Sequence, residues 1–199
     1  LADGDLFYDS ASDSLWVYHI HAGSEGGTQA VREISSDGIH WSGAQVLFTV
    51  PDYDYVSPSL EKLGNTYYLW YIKSGAAGCS NASNSIYYRT STDGIVWSAE
   101  PPVTFVQTGY SPWHMDIIRV PSRNEFWAVL SAYPTGTGCG NTVLFFAKST
   151  DGISWTTYSK PALGKGAGWD SGEIYRSTLL YDPASDLLRV WYSATNGAW

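Results

Sequence analysis

The sequence predicts an all-β protein, a β-propeller built of four-stranded antiparallel blades, about three and a half of which lie in the chain. Three observations predict it. A seven-residue pattern, Ser-x-Asp-Gly-Ile-x-Trp, occurs at Ser35–Trp41, Ser91–Trp97 and Ser149–Trp155, with its aspartates 56 and 58 residues apart. Five fixed positions returning at near-constant spacing mark copies of one supersecondary unit. The composition suits strands: aromatics make up 16% of the residues, with 10 Trp and 15 Tyr, and 20 Gly and 9 Pro supply turns. Each unit of about 57 residues holds four short apolar runs separated by Gly/Pro/Asn/Asp clusters, and no stretch keeps a helical period over ten residues.

The elements follow in order. The first blade, residues 1–54, reads as strands Leu6–Asp9, Leu15–Ile20, Ala30–Ile34 and, past the Asp-Gly turn, Gln45–Thr49. The second, 55–111, repeats them as Pro58–Leu63, Tyr67–Ile72, Ser85–Arg89 and Val103–Gln107. The third, 112–170, has Ile117–Val120, Phe126–Ser131, Val143–Lys148 and a weak run near Tyr158. The fourth, 171–199, has Ser177–Tyr181 and Leu188–Ser193. Its register follows from Tyr8-Asp9-Ser10-Ala11-Ser12-Asp13, which returns as Tyr181-Asp182-Pro183-Ala184-Ser185-Asp186. A fourth Asp-Gly turn is expected past Trp199, so the missing propeller segments are expected from the parent polypeptide or another chain. In each turn Gly supplies a positive φ, Asp binds the turn's own amides, and Trp packs between blades.

A formal net charge of −8 and the lack of any Lys/Arg cluster argue against nucleic-acid binding. No apolar run reaches the roughly 18–20 residues of a membrane span. The chain starts at Leu1 rather than Met, and a leader or an upstream segment is expected before it. Cys79 and Cys139 are 60 residues apart, at equivalent loops of adjacent units, which predicts a disulfide and an oxidising setting: extracellular, secreted or virion. Asn81-Ala82-Ser83 is a glycosylation triplet of low specificity.

Four segments carry a family resemblance: Asp3-Gly4-Asp5-Leu6-Phe7-Tyr8-Asp9, Ser57-Pro58-Ser59-Leu60, Trp113-His114-Met115-Asp116 and Gly172-Glu173-Ile174-Tyr175-Arg176-Ser177. With the repeats, they resemble the five-bladed propellers of arabinanase, β-xylosidase and invertase-like glycoside hydrolases (family 43 and relatives). They also resemble phage minor structural proteins that contain such propellers. The repeated turn is similar to the Asp-box of sialidases, one residue shorter between Asp and Gly. The resemblance implies a ring of five blades and, in the enzymes, a base Asp, an orienting Asp and an acid Glu at the starts of inner strands.

Propeller geometry puts the starts of the inner strands around a central funnel and the Asp-Gly turns on the opposite face. Asp37, Asp93 and Asp151 are therefore expected to be turn-formers rather than catalytic acids. Asp5 and Asp116 each lie eleven residues before a Trp of the second strand and so share one column, with Ser57 expected there in the second blade and Thr178 in the fourth. The resemblance then implies Asp5 (or Asp3) as base, Asp116 as orienting group and Glu173 as acid. Two carboxylates roughly 6.5–9.5 Å apart suit an inverting mechanism. The plainer alternatives are a strand-entry role for Asp5 and a salt bridge from Glu173 to Arg176 or Arg119.

Tyr53, Tyr55, Trp113 and Trp169 are candidates for stacking on sugar rings, with inter-blade packing as the alternative. His114 is a candidate for a sugar hydroxyl or a central cation, with plain hydrogen bonding as the alternative, and Arg176 is a candidate for substrate binding. No cofactor and no metal ligand set are expected from spacing, although similar enzymes hold a channel Ca²⁺. The leading expectation is an inverting glycosidase-like propeller on plant or microbial polysaccharide, of arabinan, xylan or fructan type. The other is a non-catalytic glycan-binding or structural module of a phage tail or extracellular assembly. A sialidase is disfavoured, because the six arginines do not fill one inner-strand column.

Overall fold

The computed structural model describes residues 2–22, 27–81, 84–105 and 107–197. Four separate antiparallel sheets follow one another along the chain. The first holds β1 (Ala2–Asp9), β2 (Ser14–Ala22), β3 (Gly27–Ser35) and β4 (Gln45–Pro51), in that order. The second holds β5 (Val56–Leu63), β6 (Thr66–Lys73) and β7 (Ser85–Ser91). The third holds β8 (Tyr110–Val120), β9 (Glu125–Pro134), β10 (Val143–Ser149) and a short β11 (Thr156–Thr157). The fourth is the pair β12 (Glu173–Asp182) and β13 (Leu187–Thr195). This is a partial β-propeller.

One expected strand is not regular. At Val103–Gln107 the chain makes only isolated bridges, Pro102 to Tyr87 and Thr104 to Ser154 of the third blade, and Val106 lies outside the described residues. Pro101 and Pro102 supply no N–H to a ladder, which ends the pairing early.

Adjacent blades bury apolar clusters between them, the first two rich in aromatics. Trp16, Tyr18, Tyr55, Tyr67 and Leu69 fill the space between the first and second blades. Trp70, Met115, Phe126, Phe145 and Trp155 fill that between the second and third. Val129, Leu144, Ile174 and Leu179 fill that between the third and fourth. Each Asp-Gly turn is built alike. Asp93 Oδ1 accepts from Ile95 N (2.8 Å) and Val96 N (2.9 Å), and Gly94 has φ 69°. Asp37 and Asp151 bind the corresponding amides of their own turns. The turn glycines of the second and third blades sit on the preceding blade. Tyr18 Oη donates to Gly94 O and Trp70 Nε1 to Gly152 O, both at 2.7 Å.

The inner strands are joined to one another by side chains rather than by a main-chain ladder. Ser57 Oγ accepts from Met115 N (3.0 Å), Ser59 Oγ from Ile117 N (2.9 Å), and Glu61 Oε1 from Arg119 N (2.8 Å). Inner-strand amides that no sheet partner reaches are satisfied this way.

Candidate functional site

All four inner strands carry a register shift at the same end. It falls between Ala2 and Asp5, Val56 and Ser59, Pro112 and His114, and Ile174 and Ser177. A bulge leaves residues off the ladder and re-aims their side chains. The residues so displaced are Asp3, Gly4, Ser57, Pro58, Trp113, Tyr175 and Arg176. Asp3 and Ser57 hold positive φ values of 50° and 51°, and Tyr53 on the adjoining loop holds 55°. Left-handed non-glycine residues clustered at one place are the kind of stored strain found at functional sites.

Asp3, Trp113 and Tyr175 of these, with Asp52, Tyr53 and Tyr55 of the adjoining segment, wall a cavity of about 430 Å³. Tyr53 is 51% exposed there, while Tyr55 and Trp113 are buried. Tyr55 Oη and Trp113 Nε1 make no hydrogen bond among the described residues. His114 lies against Tyr175, with ring centroids 4.5 Å apart, and its Nδ1 is 4.0 Å from Asp3 Oδ1. Burial lowers its pKa to about 4, so the imidazole is neutral at physiological pH.

Asp3 ties the site together. Its Oδ2 accepts from Ser57 N at 3.1 Å, and its Oδ1 accepts from Arg176 Nη1 at 2.9 Å. Arg176 also donates to Gly4 O at 3.2 Å, so its guanidinium spans from the fourth blade to the first. Asp5 and Asp116 lie further along the same strands. Asp5 Oδ2 accepts from Leu60 N of the second blade at 2.7 Å. Asp116 Oδ2 accepts from Thr178 Oγ1 (2.6 Å) and Leu179 N (3.0 Å) of the fourth. Burial raises both pKa values, that of Asp5 to about 8, and the charge of Asp116 adds to the rise at Asp5. Glu61 in the same interior is pushed to about 7 by burial.

The structure thus brings Asp5 and Asp116 into one electrostatic group and sets Asp3, Tyr55 and Trp113 in the cavity wall, with Arg176 and His114 behind it against Asp3. Glu173 and Trp169 are not among the residues that wall it. Glu173, at the start of β12, has its pKa raised by partial burial, opposed by the charge of Lys165. Neither suggested salt bridge forms: Arg176 pairs with Asp3, while Arg119 donates to Glu125 O and Asn124. Trp169 is 59% exposed and stacks on Tyr192 at 5.3 Å.

One column assignment is corrected. Ser59, not Ser57, is the counterpart of Asp5, because Ser59 pairs with Trp70 as Asp5 pairs with Tyr18. The turn between β5 and β6 is two residues shorter than that between β1 and β2, so a count of eleven back from the second strand lands on Ser57, which lies in the bulge. Tyr175 and Asp52 were missed as cavity walls for related reasons: a bulge residue and a loop residue follow no period. Cys79 and Cys139 are joined as a disulfide. Ala82 and Ser83 of the glycosylation triplet lie outside the described residues. No helix of the described residues is long and apolar enough to cross a membrane. Among the described residues, no three His, Cys, Asp or Glu side chains converge on one ion position.

No family model matches the chain. It is 29% identical, over 240 aligned residues, to the A type blood N-acetyl-α-D-galactosamine deacetylase of Flavonifractor plautii, covering 96% of this chain and 31% of that protein. The chain therefore spans about a third of the length of the curated relative it matches. Among solved structures, it superposes on an F. plautii N-acetylgalactosamine deacetylase in complex with blood group B trisaccharide. The TM-score is 0.88 at 28% identity, over 96% of this chain and 62% of that one. An α-L-arabinanase mutant of Cellvibrio cellulosa matches at TM-score 0.66 and 14% identity, over 96% and 64% of the two chains. A β-fructofuranosidase of Bombyx mori matches at 0.65 and 13%, over 94% and 40%. The last two share the fold.

Proposed function

We propose that this chain forms the sugar-facing part of a propeller enzyme acting on glycans, and that the reaction is removal of the N-acetyl group from an amino sugar. The observation that carries the reading is the bulge-built cavity. Aromatic walls from Tyr53, Tyr55, Trp113 and Tyr175 suit the C–H faces of a sugar ring, and Asp3 suits its hydroxyl or amide hydrogens. The likeness to the F. plautii deacetylase supports the choice of reaction.

Amide hydrolysis needs a water held against the carbonyl and a group that takes its proton. Asp3 is fixed for such a task by Ser57 N and Arg176, and neutral His114 beside it can receive a proton without having carried charge into the pocket. The disulfide supports an oxidising, extracellular setting.

The second reading is glycosidic hydrolysis with Asp5 (or Asp3) as base, Asp116 as modulator and Glu173 as acid. The raised carboxyl groups of Asp5 and Asp116 favour it. The placement of Glu173 weighs against it, since the acid that this reading needs does not wall the cavity.

The test uses the full-length polypeptide that carries this chain. It is offered an N-acetylgalactosamine-terminated trisaccharide and, separately, aryl arabinoside, aryl xyloside and fructan. Acetate release that is lost in Asp3→Asn and kept in Glu173→Gln is expected. Release of reducing sugar that depends on Glu173, with no acetate, would overturn the reading in favour of the glycosidase. No turnover with retained trisaccharide binding would leave a binding module.

A further inference from the structure

Two aromatic walls of the cavity, Tyr53 and Trp113, come from different blades, yet both are held by Ser74, Gly78 and Asn84 of the second blade's loop, which a disulfide ties to a loop of the third. Cys79 sits in the 3-10 turn Gly78–Ser80 of the second blade, and Cys139 in the 3-10 turn Cys139–Asn141 of the third. Their disulfide pins the two turns together.

The contacts run outward from that point. The ring of Tyr53 lies on Gly78, where a Cβ would come within 3.3 Å of it, and Gly78 has φ 51°. Tyr53 O accepts from Ser74 N at 2.8 Å, and Gly75 N donates to Asp54 Oδ1 at 3.0 Å. The left-handed backbone of Tyr53 is thus held at its carbonyl, its ring and the next residue by the segment leading into Cys79. On the other side, Ser74 Oγ bonds Gly78 O (2.6 Å) and Asn84 Oδ1 (2.7 Å). Asn84 Nδ2 donates to Pro112 O (2.8 Å), the residue immediately before the bulged Trp113. Ser74 and Asn84 are buried, so these bonds are sheltered from water.

We propose that the Cys79–Cys139 bridge, with Ser74 and Asn84 behind it, is a positioning device for the sugar cavity. It holds Tyr53 and Trp113 at the spacing that grips a ring, and opening it slackens both walls. The inference rests on the functional reading above only for the identity of the ligand. Both cysteines are partly exposed, so a dithiol reaches them. Its two S–H groups become one S–S bond while Cys79 and Cys139 take up the two electrons and two protons as thiols.

The test measures the oxidised and dithiol-reduced full-length polypeptide in two ways. Hydrogen exchange without sugar is expected to quicken in segments 51–57 and 110–116 on reduction, with segment 149–155 of the third Asp-Gly turn unchanged. Affinity for the N-acetylgalactosamine-terminated trisaccharide is expected to fall by about tenfold, the scale of one aromatic stacking contact. Gly78→Ala, which keeps the disulfide but displaces Tyr53, is expected to lower affinity without quickening segment 110–116. Unchanged exchange in both mouth segments on reduction overturns the proposal, as does exchange that quickens uniformly across the chain. If the oxidised protein binds no trisaccharide, the functional reading falls, and the exchange result alone decides the positioning role.

Discussion

Arg176 and Asp3 stand 173 residues apart in sequence and 2.9 Å apart in space, which fastens the inner strand of the fourth blade to that of the first. No main-chain pairing joins these two sheets, so the pair and the bond from Arg176 to Gly4 O carry much of that connection. Their side chains are 23% and 13% exposed, which places the pair between a solvent-screened and a fully buried bridge.

Arg176→Met is expected to cost about 1–3 kcal/mol, since it leaves Asp3 partly buried with only the Ser57 amide. Arg176→Lys restores little, because an ammonium cannot reproduce the fork that reaches both Asp3 and Gly4. Thermal unfolding and trisaccharide affinity measure the two effects. A melting temperature unchanged in both variants would remove the pair from the list of forces that hold the sector.

The three turn glycines are expected to differ in cost. A Cβ at Gly94 would come within 2.5 Å of Trp16, and at Gly152 within 2.7 Å of Trp70. At Gly38 the nearest atom is Leu15 at 3.4 Å. Gly38→Ala should cost about 1–2 kcal/mol, from its positive φ alone. Gly94→Ala and Gly152→Ala should cost about 2–5 kcal/mol, from φ plus overpacking. Denaturant unfolding of the three variants checks the order, and equal losses would contradict the inter-blade packing described.

Asp5 sets a pH dependence of stability. Its pKa, raised from 3.8 to about 8, means that the folded protein keeps a proton the unfolded chain has lost over this range. Its contribution is full below the unfolded value and is lost as pH rises through the folded one. Asp5→Asn should therefore gain stability relative to the wild type as pH rises from about 4 to about 8. Asp9 acts in the opposite sense. Burial would raise its pKa, but hydrogen bonds from Lys62, Ser12 and Tyr67 hold it at about 2, so its contribution is lost only in acid. Unfolding curves from about pH 2 to about pH 8 check both signs, and a pH-independent gap between wild type and Asp5→Asn would count against the desolvation of that carboxyl.

Asp151→Ala removes the acceptor for Ile153 N and Ser154 N. It should lower the melting temperature while leaving trisaccharide affinity unchanged, because Asp151 shapes a turn and does not wall the cavity. Calorimetry of unfolding and of binding separates the two, and a loss of affinity at full stability would return this acid to the site.

Much of the fold was legible because the repeat pins it. Gly38, Gly94 and Gly152 have φ values of 74°, 69° and 73°, as the Asp-Gly pattern requires. The strand pattern around them is local and periodic, so it can be read along the chain. The site was legible in part. The eleven-residue spacing puts Asp5 and Asp116 in one column, and in the structure desolvation raises the pKa of both and the charge of Asp116 acts on Asp5. Counting back from the second strand puts Ser57 in the Asp5 column, two residues from its occupant Ser59, because the turn between β5 and β6 is two residues shorter than that between β1 and β2. Tyr175 reaches the cavity wall because a bulge breaks the alternation from which facing is inferred.

By itself, the sequence determined the blade unit, its turn chemistry and the equivalence of the two cysteine loops, all of which follow from local spacing. Only the tertiary structure decided which acids meet. It joined Arg176 to Asp3, gave the oxygens of Asp5 and Asp116 to amides of neighbouring blades, and set Glu173 apart from the cavity walls. The physical reason is that these relations depend on how one blade is rotated against the next and on which inner-strand residues each bulge displaces. The threefold Ser-x-Asp-Gly-Ile-x-Trp pattern specifies each turn, whereas the cavity arises only where four bulged strands meet.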